Sequence, residues 1–178
     1  LHFWYPRDSV LEVPEFARRH AQAFGAGTTA RLQRLVVAVI GCSGTGSPVI
    51  EQLARLGGGK LVLVDPDRVE EKNLNRILHA TMDDARHNRL KVDVIARAIA
   101  NMGLGTEVIP LACNLCEPEV VRAVAACDVL FGCMDSVDGR HLLNRLATFY
   151  LQPYFDVGIK IEADGAGGVE QVCGTVHY

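Results

Sequence analysis

Gly41-Cys42-Ser43-Gly44-Thr45-Gly46 follows an unbroken apolar run, Leu35 to Ile40, and precedes Val49, Leu53 and Leu56 at helical spacing. A glycine-rich turn between a strand and a helix leaves backbone N–H groups facing outward at the helix N-terminus, where phosphate oxygens can accept from them. Ser43 occupies the second glycine position of G-x-G-x-x-G, the point of closest approach to a pyrophosphate. Its side chain either crowds that approach or donates a hydroxyl hydrogen bond. No Lys-[Ser/Thr] pair follows for a Walker A loop, and Thr45 breaks the G-x-S-x-G nucleophile elbow, so Ser43 is not read as a nucleophile. The same glycines can serve tight turning and helix–sheet packing alone.

Asp65 ends a second apolar run, Leu61 to Val64, about 20 residues beyond the glycines, where a carboxylate can accept hydrogen bonds from ribose hydroxyls. Asp65-Pro66-Asp67 also suits a strand-ending turn. Up to this point NAD fits as well as ATP. The two part at Asn73-Leu74-Asn75-Arg76, Lys91 and Asp135. Adenylyl transfer to a carboxylate brings two anions together and expels a third, so fixed cations and a metal must offset charge at the α-phosphate. Hydride transfer has no such need. Arg76 offers a planar fork of donors and Lys91 a compact charge, although either alone also reads as a solvated surface residue. Asp135, beyond the apolar strand Val129 to Phe131, can complete a magnesium site with phosphate oxygens and water. It can equally cap or turn into the following helix, as can Ser136 or Asp138.

These residues need elements to hold them. The stretch from Pro14 to Gln33 reads as two short helices broken near Gly25 and Gly27. Strands are expected at Leu35 to Ile40, Leu61 to Val64, Thr106 to Leu111, Asp128 to Cys133, Tyr154 to Ile159 and Val169 to Val176, the last in a possible hairpin. Helices are expected after Gly46, stopping at Gly57-Gly58-Gly59; around Leu90 to Ile99; from Pro118; and from about Asp138 to Tyr150. Alternation of this kind predicts an α/β fold, a Rossmann-like, doubly wound, mainly parallel sheet with helices on both faces. Ligands in such sheets sit outside the carboxyl ends of the strands, where the glycine loop, Asp65 and Asp135 all fall.

With 178 residues, the chain is the size of one α/β domain. Its 49% hydrophobic content is too high for disorder, and its longest apolar run is far short of the roughly 20 residues of a membrane span. No membrane association is expected. A net charge of −3 leaves no basic footprint, which argues against nucleic acid as a partner. Six cysteines sit mostly in or beside apolar segments with no secretory signal before them, so a reduced, cytoplasmic setting is expected. Cys113-Asn114-Leu115-Cys116 is a single C-x-x-C pair where four-ligand zinc needs two, and zinc is not expected within this stretch. Cys173 is read as a packing residue. The chain begins with Leu1 and reads as a piece of a longer protein, with an N-terminal helical segment over 1–34 and an ATP-binding adenylation domain over 35–178.

Leu32 through Arg140 resembles the ThiF/MoeB/HesA family of ubiquitin-activating-enzyme-like adenylyltransferases. The matching blocks are Val39-Ile40-Gly41-Cys42-Ser43-Gly44-Thr45-Gly46-Ser47, Glu51 to Gly57, Leu63 to Glu70, Asn73-Leu74-Asn75-Arg76, Lys91 and Cys133-Met134-Asp135. The resemblance implies that Gly41, Ser43, Gly44 and Gly46 line the nucleotide. It also implies that Asp65 binds the ribose, that Asp67 belongs to the cofactor-binding set, that Asn73, Arg76 and Lys91 hold the phosphates, and that Asp135 holds magnesium. Upstream, Arg18-Arg19-His20-Ala21-Gln22-Ala23-Phe24-Gly25 is similar to a family segment whose arginine reaches the γ-phosphate of the partner subunit's ATP. Arg19 matches it by distance to Phe24-Gly25, with His20 in place of the usual Gln. An exposed helix charge is the plainer role for Arg19. The implied activity is ATP- and Mg2+-dependent adenylation of the C-terminal carboxylate of a ubiquitin-like or sulfur-carrier protein with a Gly-Gly-type tail, carried out by a homodimer. Two alternatives stand beside it: an NAD-binding oxidoreductase, and a non-catalytic dimerising scaffold that binds nucleotide and a modifier.

Overall fold

The structure, a computed structural model, describes residues 13–177. The first 12 residues of the expected N-terminal segment, and Tyr178, lie outside the described residues. After a 3-10 turn at Glu15–Ala17 come α1 (Arg18–Phe24) and α2 (Ala26–Leu32), joined at Gly25 with φ +86°. Gly27, expected to break the segment, lies inside α2.

Six strands follow: β1 (Val36–Ile40), β2 (Lys60–Val64), β3 (Glu107–Leu111), β4 (Val129–Gly132), β5 (Tyr154–Ala163) and β6 (Val169–His177). They form one sheet in the order β3-β2-β1-β4-β5-β6. The first five are parallel to their neighbours, and β6 returns antiparallel to β5. The helices between them are α3 (Gly46–Arg55), α4 (Met82–Arg86), α5 (Lys91–Met102), α6 (Pro118–Ala125) and α7 (Val137–Tyr150).

The period-2 alternation of the apolar strands divides the core between the two faces of the sheet. Val37, Val39, Leu61 and Leu63 pack with Ile50 of α3 and with Ile95 and Ile99 of α5. Ala38, Ile40, Val62 and Val64 pack on the other side with Val120 and Val124 of α6 and with Leu143 and Leu146 of α7. Continuous apolar runs are what a strand buried on both faces requires. No described helix is long and apolar enough to cross a membrane.

The strand order reverses at β1, which pairs with β2 on one side and β4 on the other. The β1–β4 pair is pinned at its start by two reciprocal bonds: Val36 N–H donates to the Asp128 carboxylate at 2.8 Å, and Asp128 N–H to the Val36 carbonyl at 2.8 Å. At the carboxyl end Cys133 N–H donates to the Ile40 carbonyl at 2.8 Å. The crevice outside β1 and β4 is therefore the switch point, where ligands bind in such sheets.

Beyond Gly132, β5 continues without β4 beside it and forms a ribbon with β6. Val157, Ile159, Ile161, Val172 and Val176 share one face of this ribbon, and the last four are more than 60% exposed.

Candidate nucleotide and metal site

The loop after β1 opens on Gly41, whose φ of +95° suits glycine. A Cβ at Gly41 would stand 2.6 Å from the Cys133 carbonyl oxygen, so the loop passes tightly against the end of β4. Cys42 N–H donates to Asp65 Oδ2 at 2.7 Å, and Asp67 N–H donates to Asp65 Oδ1 at 2.9 Å. Asp65, with its side chain only 7% exposed, thus ties the loop after β1 to the turn after β2. An ionised carboxylate has about four acceptor sites, so two remain for hydroxyl donors.

Lys91 is the first residue of α5, and its side chain is 8% exposed. Its N–H donates to the Asp67 carbonyl at 3.0 Å, and Val69 N–H donates to the Arg89 carbonyl at 2.8 Å, which ties the turn after β2 to the entry of α5. Its Nζ bonds Asp67 Oδ2 at 2.7 Å and lies 3.9 Å from Asp65 Oδ1. The charge of Lys91 is thus placed on the two carboxylates after β2.

Arg76 follows the 3-10 turn Glu71–Asn73. Its Nη1 donates to the Lys72 carbonyl at 3.0 Å and to Asn75 Oδ1 at 3.3 Å, and among the described residues no carboxylate pairs with it. Its stem crosses Gly44, where a Cβ would come within 3.1 Å of Arg76 Cδ. Asn73 is buried and accepts the Glu70 N–H at 3.1 Å, so part of its amide holds the turn that presents Arg76.

Asp135 lies exposed in the loop between β4 and α7, and its carboxylate makes no hydrogen bond or ion pair among the described residues. The helix-capping role open to Asp135, Ser136 or Asp138 is unrealised, because no side chain caps α7. Ser136 Oγ faces the Met134 sulfur at 3.6 Å instead.

Gly41, Ser43, Gly44, Asp65, Asp67, Asn73, Arg76, Lys91 and Asp135 all line one cavity of about 720 Å³, within the usual range for small-molecule sites. Gly46 does not. It sits behind the loop, where a Cβ would fall 1.8 Å from the Gly41 carbonyl oxygen, so its role is the close approach of α3 to the strand end. Arg19 lies on the exposed surface of α1, outside the cavity wall.

The cavity also contains residues the motif pattern passed over: Asn114 and Cys116 after β3, Asp138 and Arg140 at the start of α7, and Val157 to Ile159 on β5. For Asn114 and Cys116 the signal was positional, since they follow the carboxyl end of β3, whereas Arg140 lies within α7 and Val157 to Ile159 within β5, beyond its pairing with β4. Cys116, half of the C-x-x-C pair, lines the cavity, while the Cys113 thiol lies within 4.8 Å of the carboxylates of Glu117 and Glu119. Of two other thiols at this end of the sheet, Cys133 lines the cavity and Cys42 is fully buried in the glycine loop. Burial pushes Cys42 well up, with Asp65 adding to it, and burial followed by Asp156 pushes Cys133 up to about 12. Neither supplies a thiolate near neutral pH.

A model of the ThiF family matches residues 16–169. The adenylyltransferase and sulfurtransferase MOCS3 of Sus scrofa is 36% identical over 144 residues, which are 78% of this chain and 31% of that protein. The SAMP-activating enzyme E1 of Haloferax volcanii is 34% identical over 119 residues, 67% of this chain and 43% of its own. Among solved structures, E. coli MccB with AMPCPP and MccA superposes with a TM-score of 0.70 at 27% identity, over 82% of this chain and 44% of that one. The chain spans less than half the length of each of these relatives.

Proposed function

The chain belongs to the ThiF family, and from that premise we propose that it adenylates the C-terminal carboxylate of a ubiquitin-like or sulfur-carrier protein, using ATP and magnesium. The observation that carries the reading is the convergence in one cavity of a glycine loop, Asp65, and Arg76 and Asp135, neither of which has an ion-pair partner among the described residues. The relatives' names support adenylation, and the solved MccB carries AMPCPP.

The residues fit both groups. A hard cation prefers oxygen ligands and keeps much of its water, which one free carboxylate beside phosphate oxygens satisfies; Asp135 would hold it, with Asp138 on the same wall. Magnesium, when bound, supplies charge that offsets the phosphate oxygens. Asp65 would accept from ribose hydroxyls through its two spare sites. Arg76 would donate to phosphate oxygens, and Lys91 would do so by releasing Asp67, whose side chain is 65% exposed and readily hydrated.

In the reaction a carboxylate oxygen of the substrate bonds to the α-phosphorus, the bond to the β-phosphate oxygen breaks, and pyrophosphate leaves. No side chain serves as nucleophile, in keeping with the raised Cys42 and Cys133 thiols. Catalysis consists of alignment and electrostatic stabilisation. Arg19, exposed and away from its own cavity, would act on the cavity of a second copy in a homodimer.

The test is ATP–pyrophosphate exchange by the purified protein with Mg-ATP and a modifier bearing a Gly-Gly tail. Exchange that is abolished by Asp135→Ala is expected, and an unchanged rate in that variant refutes the mechanism. Thermal stabilisation by NAD in preference to ATP would return the oxidoreductase reading. Nucleotide binding without exchange would return the scaffold. Mixed dimers of wild type and Arg19→Ala should regain activity, and confirmed heterodimers without rescue would place Arg19 outside the site.

A further inference from the structure

We infer that Arg140 is a positioning residue: it clamps the loop that carries Asp135 to the β5 strand, and so sets the affinity of the cavity for the metal-bound nucleotide. The inference rests on the proposed assignment of magnesium to Asp135.

The side chain of Met134 packs, partly buried, against the core, and the backbone of the loop from Met134 to Ser136 is held mainly at its two ends. Its upstream end is anchored by Cys133 N–H on the Ile40 carbonyl, and its downstream end by Arg140 N–H on the Ser136 carbonyl at 3.2 Å. Between those points α7 has no side-chain cap and the Asp135 carboxylate makes no bond within the described residues. Arg140 fills the gap from the first turn of α7. Its Nε donates to the carbonyl of Met134, the residue before Asp135, at 3.2 Å. The same nitrogen lies 3.3 Å from Asp156 Oδ1 on β5, and that oxygen also accepts from the Tyr154 hydroxyl at 3.4 Å.

The path of the guanidinium is built into β5. It lies over Gly158, where a Cβ would stand 2.9 Å from Arg140 Nη2. One planar cation therefore joins the metal loop to a strand hydrogen-bonded on both sides at Asp156. A lone free carboxylate on an untied loop makes a poor ligand, because ordering it costs free energy at the moment of binding. Groups that orient a ligand from behind typically change metal affinity or activity 10- to 100-fold.

The test measures ATP affinity by calorimetry with magnesium and with EDTA, together with amide hydrogen exchange over residues 133–139, for wild type, Arg140→Ala, Arg140→Lys and Gly158→Ala. Arg140→Ala should weaken Mg-ATP by about tenfold or more and leave metal-free ATP within about twofold. It should also speed exchange in the loop. Arg140→Lys, which keeps a charge but not the guanidinium, should recover part of both, and Gly158→Ala, which crowds the guanidinium tip with the arginine still present, should shift both in the same direction by less. Equal weakening with and without magnesium would overturn the inference by making Arg140 a nucleotide contact, and unchanged loop exchange in Arg140→Ala would overturn it whatever ATP does. Wild-type ATP binding that ignores magnesium sinks the metal assignment instead, and with it the part of the inference that concerns metal affinity.

Discussion

Gly46→Ala should destabilise the chain, whereas the same substitution at Gly27 should stabilise it. Both glycines lie in first helical turns, Gly46 in α3 and Gly27 in α2, so both gain from alanine's helix propensity, by up to about 1 kcal/mol. What differs is the space. Nothing lies within 4 Å of a Cβ built on Gly27, whereas one on Gly46 meets the Gly41 carbonyl oxygen at 1.8 Å. Ordinary contact begins near 3.4 Å, so helix and loop must part by about 1.6 Å, between two backbones that cannot rotate away. Overpacking of this kind costs about 1–3 kcal/mol. With two backbones overlapping, the cost belongs at the upper end of that range, and the balance is a loss of about 2 kcal/mol at Gly46 against a gain of up to about 1 kcal/mol at Gly27. For a domain of this size those values translate to a fall in Tm of about 4–8 °C and a rise of up to about 2–4 °C. Thermal melts monitored by circular dichroism read both. Since Gly41 must move, ATP affinity in Gly46→Ala should also fall, while Gly27→Ala should leave it unchanged. A Gly46→Ala protein melting at or above wild type would refute the close approach of α3 to the loop.

Other expectations follow from buried charge and thiols. Asp84 is fully buried; burial raises its pKa, but bonds from Thr81, Arg89 and Arg97 outweigh that and hold it well below the carboxylate range. Asp84→Asn should cost about 2 kcal/mol at pH 7 in denaturant titrations. The wild-type contribution is present above the unfolded pKa of about 4 and lost as pH falls toward the depressed native value, so the variant should show a weaker acid-side decline. Lys91→Met removes the cation nearest Asp65 and Asp67 and should lower stability by about 2 kcal/mol by the same assay; an unchanged midpoint would make Lys91 a ligand-binding residue alone. Iodoacetamide at pH 8 should modify exposed Cys116 well before Cys127 and Cys133, which burial chiefly pushes up to about 11 and about 12. Mass spectrometry reads the order, and early loss of Cys133 would contradict its burial.

The parallel strands were legible because β1, β2 and β4 are buried on both faces and read as continuous apolar runs. Their carboxyl ends then located the site. The α4 helix was missed, since five residues carry no visible period; its mark was Thr81 and Asp84, which form a reciprocal capping box. The β5 strand runs to Ala163 rather than Ile159, because Lys160-Ile161-Glu162 alternates on a ribbon exposed on both faces and gives no burial signal. Within the site, residue type pointed to Asp65, Arg76 and Asp135, but spacing could not tell that Gly46 faces away from the cavity. Nor could it tell that Lys91 meets carboxylates across 24 residues of chain. Arg140 carried no motif; its role depends on β5 lying beside β4, which only the sheet order provides.

The reciprocal Val36–Asp128 bonds join residues 92 apart in sequence, whereas Val36 meets its other neighbour, Lys60, across only 24. Loop closure by the longer route costs about 1.2 kcal/mol more. Loop-closure entropy therefore favours pairing on the β2 side of β1 ahead of pairing on the β4 side. The cavity proposed for the nucleotide straddles that seam. If pairing follows that order, the proposed ATP site is complete only once both sides have joined, and ATP should leave the first refolding phase unchanged and act by holding the finished molecule together.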